Sequence, residues 1–212
     1  MDFIFIDFET ATAKRSSPCA LGICIVRDNK IVERKEWLIQ PPNNEYNVIN
    51  SRIHGITADK TINSPTFPEI WDEINNILKG NYIIAHNGIN FDFSVLTKTL
   101  EHYNLPFSVS DYYFVDTLSI FSYRIPNLKT KKLKEICEKY EVNYCSKESH
   151  NALYDATVLA EVCIKAEIDL SLYSTIIFPS SNAPKSRSKK NFDSLRERKI
   201  DSSADSTPKC NF

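Results

Sequence analysis

The order of strands and helices along the chain is the feature that most constrains its fold. Apolar segments predict three strands in succession, and two further strands then alternate with helices. The strands are predicted at 3–6, 20–26, 31–39, 81–85 and 112–116, and the helices at 67–78, 91–103, 128–140 and 152–165. Strands joined by a short turn pair antiparallel, whereas strands separated by a helix usually pair parallel. We therefore predict an α/β fold whose sheet begins with three antiparallel strands and continues with parallel ones.

The composition of the 212 residues is that of a globular protein, with 42% hydrophobic and 25% charged residues. No apolar run approaches the ~20 residues of a membrane span, and the N-terminus does not resemble a secretory signal. The six cysteines form no Cys-x-x-Cys pair, so a zinc knuckle is not expected. We expect a cytoplasmic protein with reduced cysteines and no membrane contact.

The charge is distributed unevenly along the chain. The net charge is −1, but residues 179–212 contain eight Lys or Arg against four Asp or Glu. That segment is also poor in apolar residues, which is typical of chains that bury too little surface to fold. We therefore predict a folded domain over 1–178 and a polar, basic and disordered tail over 179–212.

Two carboxylates stand at the end of the first predicted strand. Asp7 and Glu9 lie on one face of it, because side chains alternate along a strand, and their Cα atoms are expected roughly 7 Å apart. Two anions this close repel each other unless a cation pairs with them, and oxygen ligands favour Mg²⁺ or Mn²⁺. A strand that simply ends in an exposed polar turn is the alternative, and this segment alone does not decide between the two.

Two further acids are predicted in the first turns of helices. Asp92 shares a helix face with apolar residues, and Asp155 lies beside the apolar face of the last helix. Asn151 is the predicted N-cap of that last helix, which leaves His150 in the preceding loop. Helix capping explains one such acid, and a solvated loop explains a lone histidine. Four acids and a histidine at one sheet edge are better explained by a shared metal site.

These acids belong to three motifs, Phe5-Ile-Asp7-Phe-Glu9-Thr10, Ala85-His-Asn87-Gly-Ile-Asn-Phe91-Asp92 and His150-Asn-Ala-Leu-Tyr-Asp155-Ala. In their order and spacing the chain resembles the DEDDh family of 3′→5′ exonucleases, which have a ribonuclease-H-like fold. The nearest group is the proofreading subunit of bacterial replicative DNA polymerase and its free-standing relatives, which the segments 53–57 and 67–71 also resemble. The resemblance covers roughly residues 3–167 and implies a mixed five-stranded sheet flanked by helices.

The resemblance implies a site and an activity. Asp7, Glu9 and Asp155 are expected to hold one Mg²⁺, and Asp7 to share in a second, on which Asp92 acts through water. Mn²⁺ is expected to replace Mg²⁺, and His150 is the expected general base. The implied reaction releases nucleoside 5′-monophosphates one at a time from the 3′ end of single-stranded or frayed DNA, in proofreading or repair. The implied partners are nucleic acid 3′ ends, DNA before RNA, and a DNA polymerase.

Substrate contacts are expected at Thr10, Phe8, His54, Ile56, Asn87 and Phe91. The backbone of Thr10 is expected to bind the 3′-hydroxyl, the two phenylalanines to pack on bases, and His54 with Ile56 to wedge the terminal nucleotides. Core packing is the alternative for both phenylalanines, and a structural turn is the alternative for His54. The four lysines of the predicted helix at 128–140, Lys129, Lys131, Lys132 and Lys134, either contact phosphates or form a solvated face.

Two other functions remain open from the sequence. The same acids serve exonucleases that trim RNA ends, and no residue here can be identified as a sensor of the 2′-hydroxyl. A noncatalytic module bound to a polymerase is the second alternative. It is disfavoured because none of the five expected catalytic residues is missing.

Overall fold

The structure is a computed structural model that describes residues 1–173. The predicted boundary at residue 178 and the basic tail lie outside the described residues. Five strands form one sheet in the order β3-β2-β1-β4-β5. They are β1 (Phe3–Thr10), β2 (Pro18–Arg27), β3 (Lys30–Leu38), β4 (Tyr82–Ala85) and β5 (Tyr113–Asp116). The first three strands pair antiparallel, and β4 pairs parallel with both β1 and β5, so the predicted mixed sheet is confirmed.

The hairpin between β2 and β3 follows from its turn residues. Asp28 and Asn29 both have positive φ, at 50° and 57°. Two such residues in succession match the right-handed twist of the flanking strands, and Asp and Asn tolerate this conformation. The turn therefore places β3 at one edge of the sheet and leaves β2 in its interior.

Seven α-helices are described in residues 1–173. They are α1 (Val48–His54), α2 (Ala58–Thr61), α3 (Phe67–Leu78), α4 (Asp92–His102), α5 (Thr117–Arg124), α6 (Leu133–Lys139) and α7 (Ala152–Lys165), with 3₁₀ turns at Pro42–Asn44, Val109–Asp111 and Leu170–Tyr173. The bounds of α3 and α7 agree with the sequence prediction. None of these helices is long and apolar enough to cross a membrane.

The predicted helix at 128–140 is wrong in its first third, because α6 begins only at Leu133. The residues before it are held by other contacts. The N–H of Thr130 donates to a carboxylate oxygen of Glu135, and the carbonyl of Lys131 lies 2.6 Å from Nε2 of His86. Lys132 is extended, with φ −67° and ψ 145°. The helical pattern holds from Leu133 onward, and the segment before it is held by one local contact and by the long-range contact with His86.

Two hydrophobic cores cover the two faces of the sheet. Even-numbered residues of β1, such as Ile4 and Ile6, enter the first core together with α3 and α4. Phe5 enters the second core, which also contains residues of α5, α6 and α7. Because side chains alternate along a strand, Asp7 and Glu9 continue the face of Phe5, toward α7.

Candidate active site

One open cleft, with a volume of about 710 Å³, lies where β1 and β4 end. Its lining includes all five residues that the sequence motifs identify: Asp7, Glu9, Asp92, His150 and Asp155. The residues come from a strand, from the first turns of two helices on opposite faces of the sheet, and from one loop. The fold thus brings together groups that lie almost 150 positions apart in the sequence.

Asp92 is held by the strand it faces. It is the first residue of α4 and is 1% exposed, and its Oδ1 accepts a hydrogen bond from the N–H of Phe8 at 2.9 Å. Burial raises the pKa of Asp92 to about 7. The carboxylate therefore ties α4 to β1 at the cleft, beyond what helix capping alone requires.

Asp155 lies in the first turn of α7, as the sequence predicted. Asn151 is the N-cap, since its side chain accepts from the N–H of Tyr154 at 2.8 Å. Oδ2 of Asp155 accepts from the N–H of His150 at 2.8 Å, whereas its Oδ1 is buried with no hydrogen-bond partner in residues 1–173. A buried carboxylate oxygen without a partner is costly, and a cation is the partner that would offset this cost.

His150 stands outside the helix in the left-handed region, with φ 65°. Its Nδ1 lies 3.9 Å from Oε1 of Glu9, and its side chain is 56% exposed. The side chain of Glu9 is only 10% exposed. The imidazole therefore lies at the open side of the cleft, where a substrate or water can reach it, and the carboxylates lie below it.

The carboxylates of the cleft are buried close to one another, so their negative charges repel. Burial first, and then the charges of Asp92, Glu9 and Asp155, raise the pKa of Asp7 well above its usual range. Burial, followed by the charges of Asp155 and Asp92, raises the pKa of Glu9 to about 8. Each shift has the same sign because several anions approach one another without a cation. The cleft must therefore retain protons near neutral pH or bind positive charge.

The donor set fits a divalent metal. All four acids offer the hard oxygen ligands that Mg²⁺ and Mn²⁺ prefer, and the unpartnered Oδ1 of Asp155 supplies a free ligand atom. In residues 1–173, no three Asp, Glu, His or Cys side chains are already arranged tightly enough to hold an ion.

The expected substrate contacts divide into two groups. Thr10, His54, Asn87 and Phe91 line the cleft. Phe8 also belongs to the lining, but its side chain is only 2% exposed and packs in the first core, which favours the core-packing alternative for this residue. Ile56 is not part of the lining, and Ile53, 51% exposed, occupies the cleft instead. The helical turn of α1 directs Ile53 to the cleft, and the sequence alone did not reveal that helix.

His54 fixes the backbone of Thr10. Its Nδ1 accepts from the N–H of Ile56 at 3.0 Å, so its Nε2 carries the proton and donates to the carbonyl of Thr10 at 3.2 Å. Nδ2 of Asn50 donates to the same carbonyl at 2.9 Å. Burial lowers the pKa of His54, which favours this neutral form. The structural role that was the alternative for His54 is therefore present.

Sequence reasoning missed Asp116, a residue that fixes the loop before Asp92. Oδ1 of Asp116 accepts from the N–H groups of Asn87 and Leu118, both at 2.9 Å, and its Oδ2 accepts from the N–H of Ile89 at 3.1 Å. The side chain is therefore the N-cap of α5 and also the anchor of the loop after β4. An Asp-Thr pair at a strand end, before an apolar stretch, is the N-cap signal that could have revealed it.

His86 and Arg15 were also missed. His86 lies 2.9 Å from the hydroxyl of Thr117 through Nδ1, and it reaches the carbonyl of Lys131 through Nε2. It therefore connects the loop after β4 to the segment before α6. The guanidinium of Arg15 lies 4.3 Å from the centre of the Phe91 ring. No local sequence pattern predicts the contacts of His86 or of Arg15, because these contacts join segments that are far apart in the sequence.

A mixed sheet whose strand ends meet four carboxylates in one cleft is the arrangement that the resemblance to DEDDh exonucleases predicts. Residues 4–163 match the Exonuclease family RNase_T, and the chain belongs to this family. The match contains all three acidic motifs and ends before the predicted basic tail.

Individual relatives agree with this assignment. The PolC-type DNA polymerase III of Ureaplasma parvum is 32% identical over 142 residues, which are 66% of this chain and 10% of that protein. The epsilon subunit of DNA polymerase III from Escherichia coli is 29% identical over 116 residues, which are 52% of this chain and 45% of that protein. The chain therefore spans less than half the length of either relative.

Among solved structures, the nuclease domain of 3′hExo, a DEDDh family member bound to rAMP, has the same fold. The TM-score is 0.68 at 16% sequence identity, and the alignment covers 82% of this chain and 96% of that one. The predicted ribonuclease-H-like fold is therefore confirmed.

Proposed function

We propose that this chain is a divalent-metal-dependent 3′→5′ exonuclease that acts on single-stranded or frayed DNA. The observation that carries the proposal is the convergence of Asp7, Glu9, Asp92 and Asp155, with uncompensated negative charge, beside the exposed imidazole of His150. Carboxylates in an oxygen-only donor set are suited to phosphodiester hydrolysis with two metal ions. We propose residues 1–178 as the nuclease domain, which contains the whole family match.

The residues have distinct roles in this proposal. Asp7, Glu9 and Asp155 would hold one Mg²⁺, or Mn²⁺, and Asp7 would hold a second together with Asp92, which acts through water. Such ions, when bound, activate the attacking water and stabilise the leaving 3′ oxygen. His150 takes the proton of that water at Nδ1, the ring atom that lies 3.9 Å from Glu9. An imidazole is suited to this role because its ordinary pKa lies near neutral pH.

Selectivity for a chain end requires a wall of the cleft that accepts only a strand terminus. The carbonyl of Thr10 is occupied by Asn50 and His54, which keeps this backbone rigid where a terminal 3′-hydroxyl would lie. The half-buried ring of Phe91 lines the same cleft and can stack on the last base. Stacking contributes roughly 1–3 kcal/mol per base and tolerates any sequence, as a general exonuclease requires.

DNA is the proposed substrate because one of the relatives above is named as a DNA polymerase and the other as a subunit of one. The same names are the only support for a DNA polymerase as protein partner and for a role in proofreading or repair. RNA is the second candidate, since the solved nuclease domain of the same fold is bound to rAMP. The two substrates differ at the 2′-hydroxyl, so a direct comparison will separate them.

The test uses matched DNA and RNA single strands labelled at the 5′ or 3′ end, with Mg²⁺ or Mn²⁺. A 5′ label should give a ladder that shortens by one nucleotide at a time, whereas a 3′ label should appear at once as a mononucleotide. DNA should be degraded at a higher kcat/KM than RNA. The Asp7→Asn protein is the control for contaminating nucleases. Products of internal cleavage, or equal activity in that control, would refute the proposal.

A further inference from the structure

The cleft contains cations as well as acids. Arg15, Lys132 and Lys134 belong to its lining, together with the carboxylates that form its floor. In residues 1–173, none of the three cations lies within 4 Å of a carboxylate, although other surface lysines do form such pairs. Unpaired cations around an acidic centre suggest that an anion is held at some distance from the catalytic groups.

Arg15 lies on the side of the cleft that is next to the first core. Its guanidinium lies over the Phe91 ring and donates to the carbonyl of Asn90 at 3.2 Å, and its own carbonyl lies 3.5 Å from the hydroxyl of Thr99 on α4. These contacts hold the loop between β1 and β2 against α4. An arginine has five N–H donors, so most of its donors remain for a ligand.

Lys132 and Lys134 lie on the opposite side of the cleft, next to the second core. Lys132 precedes α6 and Lys134 lies within it, and α6 packs into the second core through Ile136 and Cys137. The structure separates these two lysines from their neighbours. Lys131 donates its Nζ to the carbonyl of Leu128, and neither Lys131 nor Lys129 lines the cleft. Lys132 and Lys134 are exposed like the rest of a solvated face, but they line the cleft, so of the four lysines these two can reach a ligand there.

We propose that Arg15 on one side, and Lys132 with Lys134 on the other, bind the phosphates of a polynucleotide strand upstream of its terminal nucleotide. The two sides approach from opposite faces of the sheet with the acidic floor between them, so a single strand that reaches the floor must pass between cations. This inference deepens the proposed function and rests on it. Its consequence is a preference for strands of several nucleotides over a dinucleotide.

Binding tests the inference without hydrolysis. A 5′-fluorescein-labelled oligothymidylate of twelve nucleotides is titrated, by fluorescence anisotropy, into Asp7→Asn protein that also carries Lys132→Ala and Lys134→Ala. The matched control carries Lys30→Ala and Lys139→Ala, which remove the same charge outside the cleft. At low salt the protein with Lys132→Ala and Lys134→Ala, the cleft variant, should bind the oligothymidylate about tenfold more weakly than the control. The slope of the logarithm of its association constant against the logarithm of salt concentration should be shallower than that of the control by about 1.4. Each phosphate contact on a single strand contributes about 0.7 to this slope, and two contacts are removed. Arg15→Gln should lower the slope by about half as much.

Strand length provides the second test, in the catalytically intact protein. Lys132→Ala with Lys134→Ala should raise KM for twelve-nucleotide strands severalfold, with kcat and the dinucleotide reaction unchanged. Equal affinities and equal salt slopes for the cleft and control variants would overturn the inference. So would a kcat loss that is the same at every length. If the intact protein degrades neither DNA nor RNA, the proposed function fails, and the binding comparison still tests the cations independently.

Discussion

Gly22 and Ala152 meet with no side chain between them. A Cβ on Gly22 would lie 2.2 Å from the backbone carbonyl carbon of Ala152, a distance that no real contact allows. Gly22 pairs with Asp7 across β1 and β2, and Ala152 is the first residue of α7. The close approach therefore sets the distance between the strand that carries Asp7 and the helix that carries Asp155.

Gly22→Ala should damage the site through this contact. The added methyl group meets backbone, which cannot rotate away, so we expect a loss of stability of about 1–3 kcal/mol and a fall in kcat as α7 shifts. Thermal unfolding and steady-state kinetics measure the two effects. Gly80→Ala is the control: Gly80 has φ 76° and open space around it, so this change should cost stability through strain while kcat at 25 °C stays unchanged. Full activity in Gly22→Ala would contradict the role of the contact.

Asp7→Asn and Asp155→Asn should each abolish hydrolysis without unfolding the domain. Each removes a ligand and also one of the repelling charges, so the metal-free protein should unfold at the same or a higher temperature. Asp72→Asn, on the exposed face of α3, is the control with the same chemical change. Turnover near that of the unmodified protein at saturating Mg²⁺, in either site variant, would exclude the metal assignment.

His150→Ala should lower kcat by about 10² or more, the typical contribution of a general base. Mn²⁺ binding, measured by calorimetry, should remain, because the imidazole is not a ligand in the proposed mechanism. His102→Ala, at the end of α4 and outside the cleft, should leave both quantities unchanged. A His150→Ala protein that loses Mn²⁺ binding as fully as activity would make this histidine a ligand.

The metal-free protein should lose stability as the pH rises from about 4.5 to 8. Glu9 and Asp92 have pKa values of about 8 and about 7 in the fold, against ordinary values of 4.5 and 3.8. In this interval the unfolded chain has already released protons that the folded chain retains, so stability falls with pH. Thermal unfolding in a chelator measures the slope, and saturating Mg²⁺ should flatten it. A metal-free slope that is zero or positive would contradict the charge repulsion.

Asp116→Asn should lower kcat by about 10–100-fold, the order expected for a small displacement of catalytic groups. The side-chain amide of the asparagine keeps one accepting oxygen, but its NH₂ group replaces the other. That NH₂ group cannot accept a hydrogen bond from the backbone N–H it faces, so the loop before Asp92 should move. Asp111→Asn, which removes a surface ion pair with Lys79, is the control. A variant whose Tm falls while kcat is unchanged would leave Asp116 with a purely structural role.

The strands and the acidic motifs could be predicted because their signals are local. The apolar run before Asp7, the Asp28–Asn29 turn and the Asn151 cap are each fixed by neighbours in sequence. Strand alternation then sets the face of Asp7 and Glu9 without further information. For these elements, elementary chain geometry is sufficient.

The parts that could not be predicted depend on contacts between distant segments. The start of α6 is set by His86, which lies 45 residues from Lys131. The short α1 has no buried residue, so no apolar periodicity marks it, and Ile53 was missed with it. Phe8 could be assigned either to the core or to a base, and only packing assigns its ring to the core.

The two edges of the open sheet have a consequence for how the protein behaves in concentrated solution. β3, at one edge, carries Glu33, Arg34, Lys35 and Glu36 in succession, and β5, at the other, is only four residues long. Exposed strand edges invite pairing with another chain, and charged or very short edge strands discourage it. The sheet can therefore remain open, with its strand ends free to form a cleft, at little risk of aggregation through its edges.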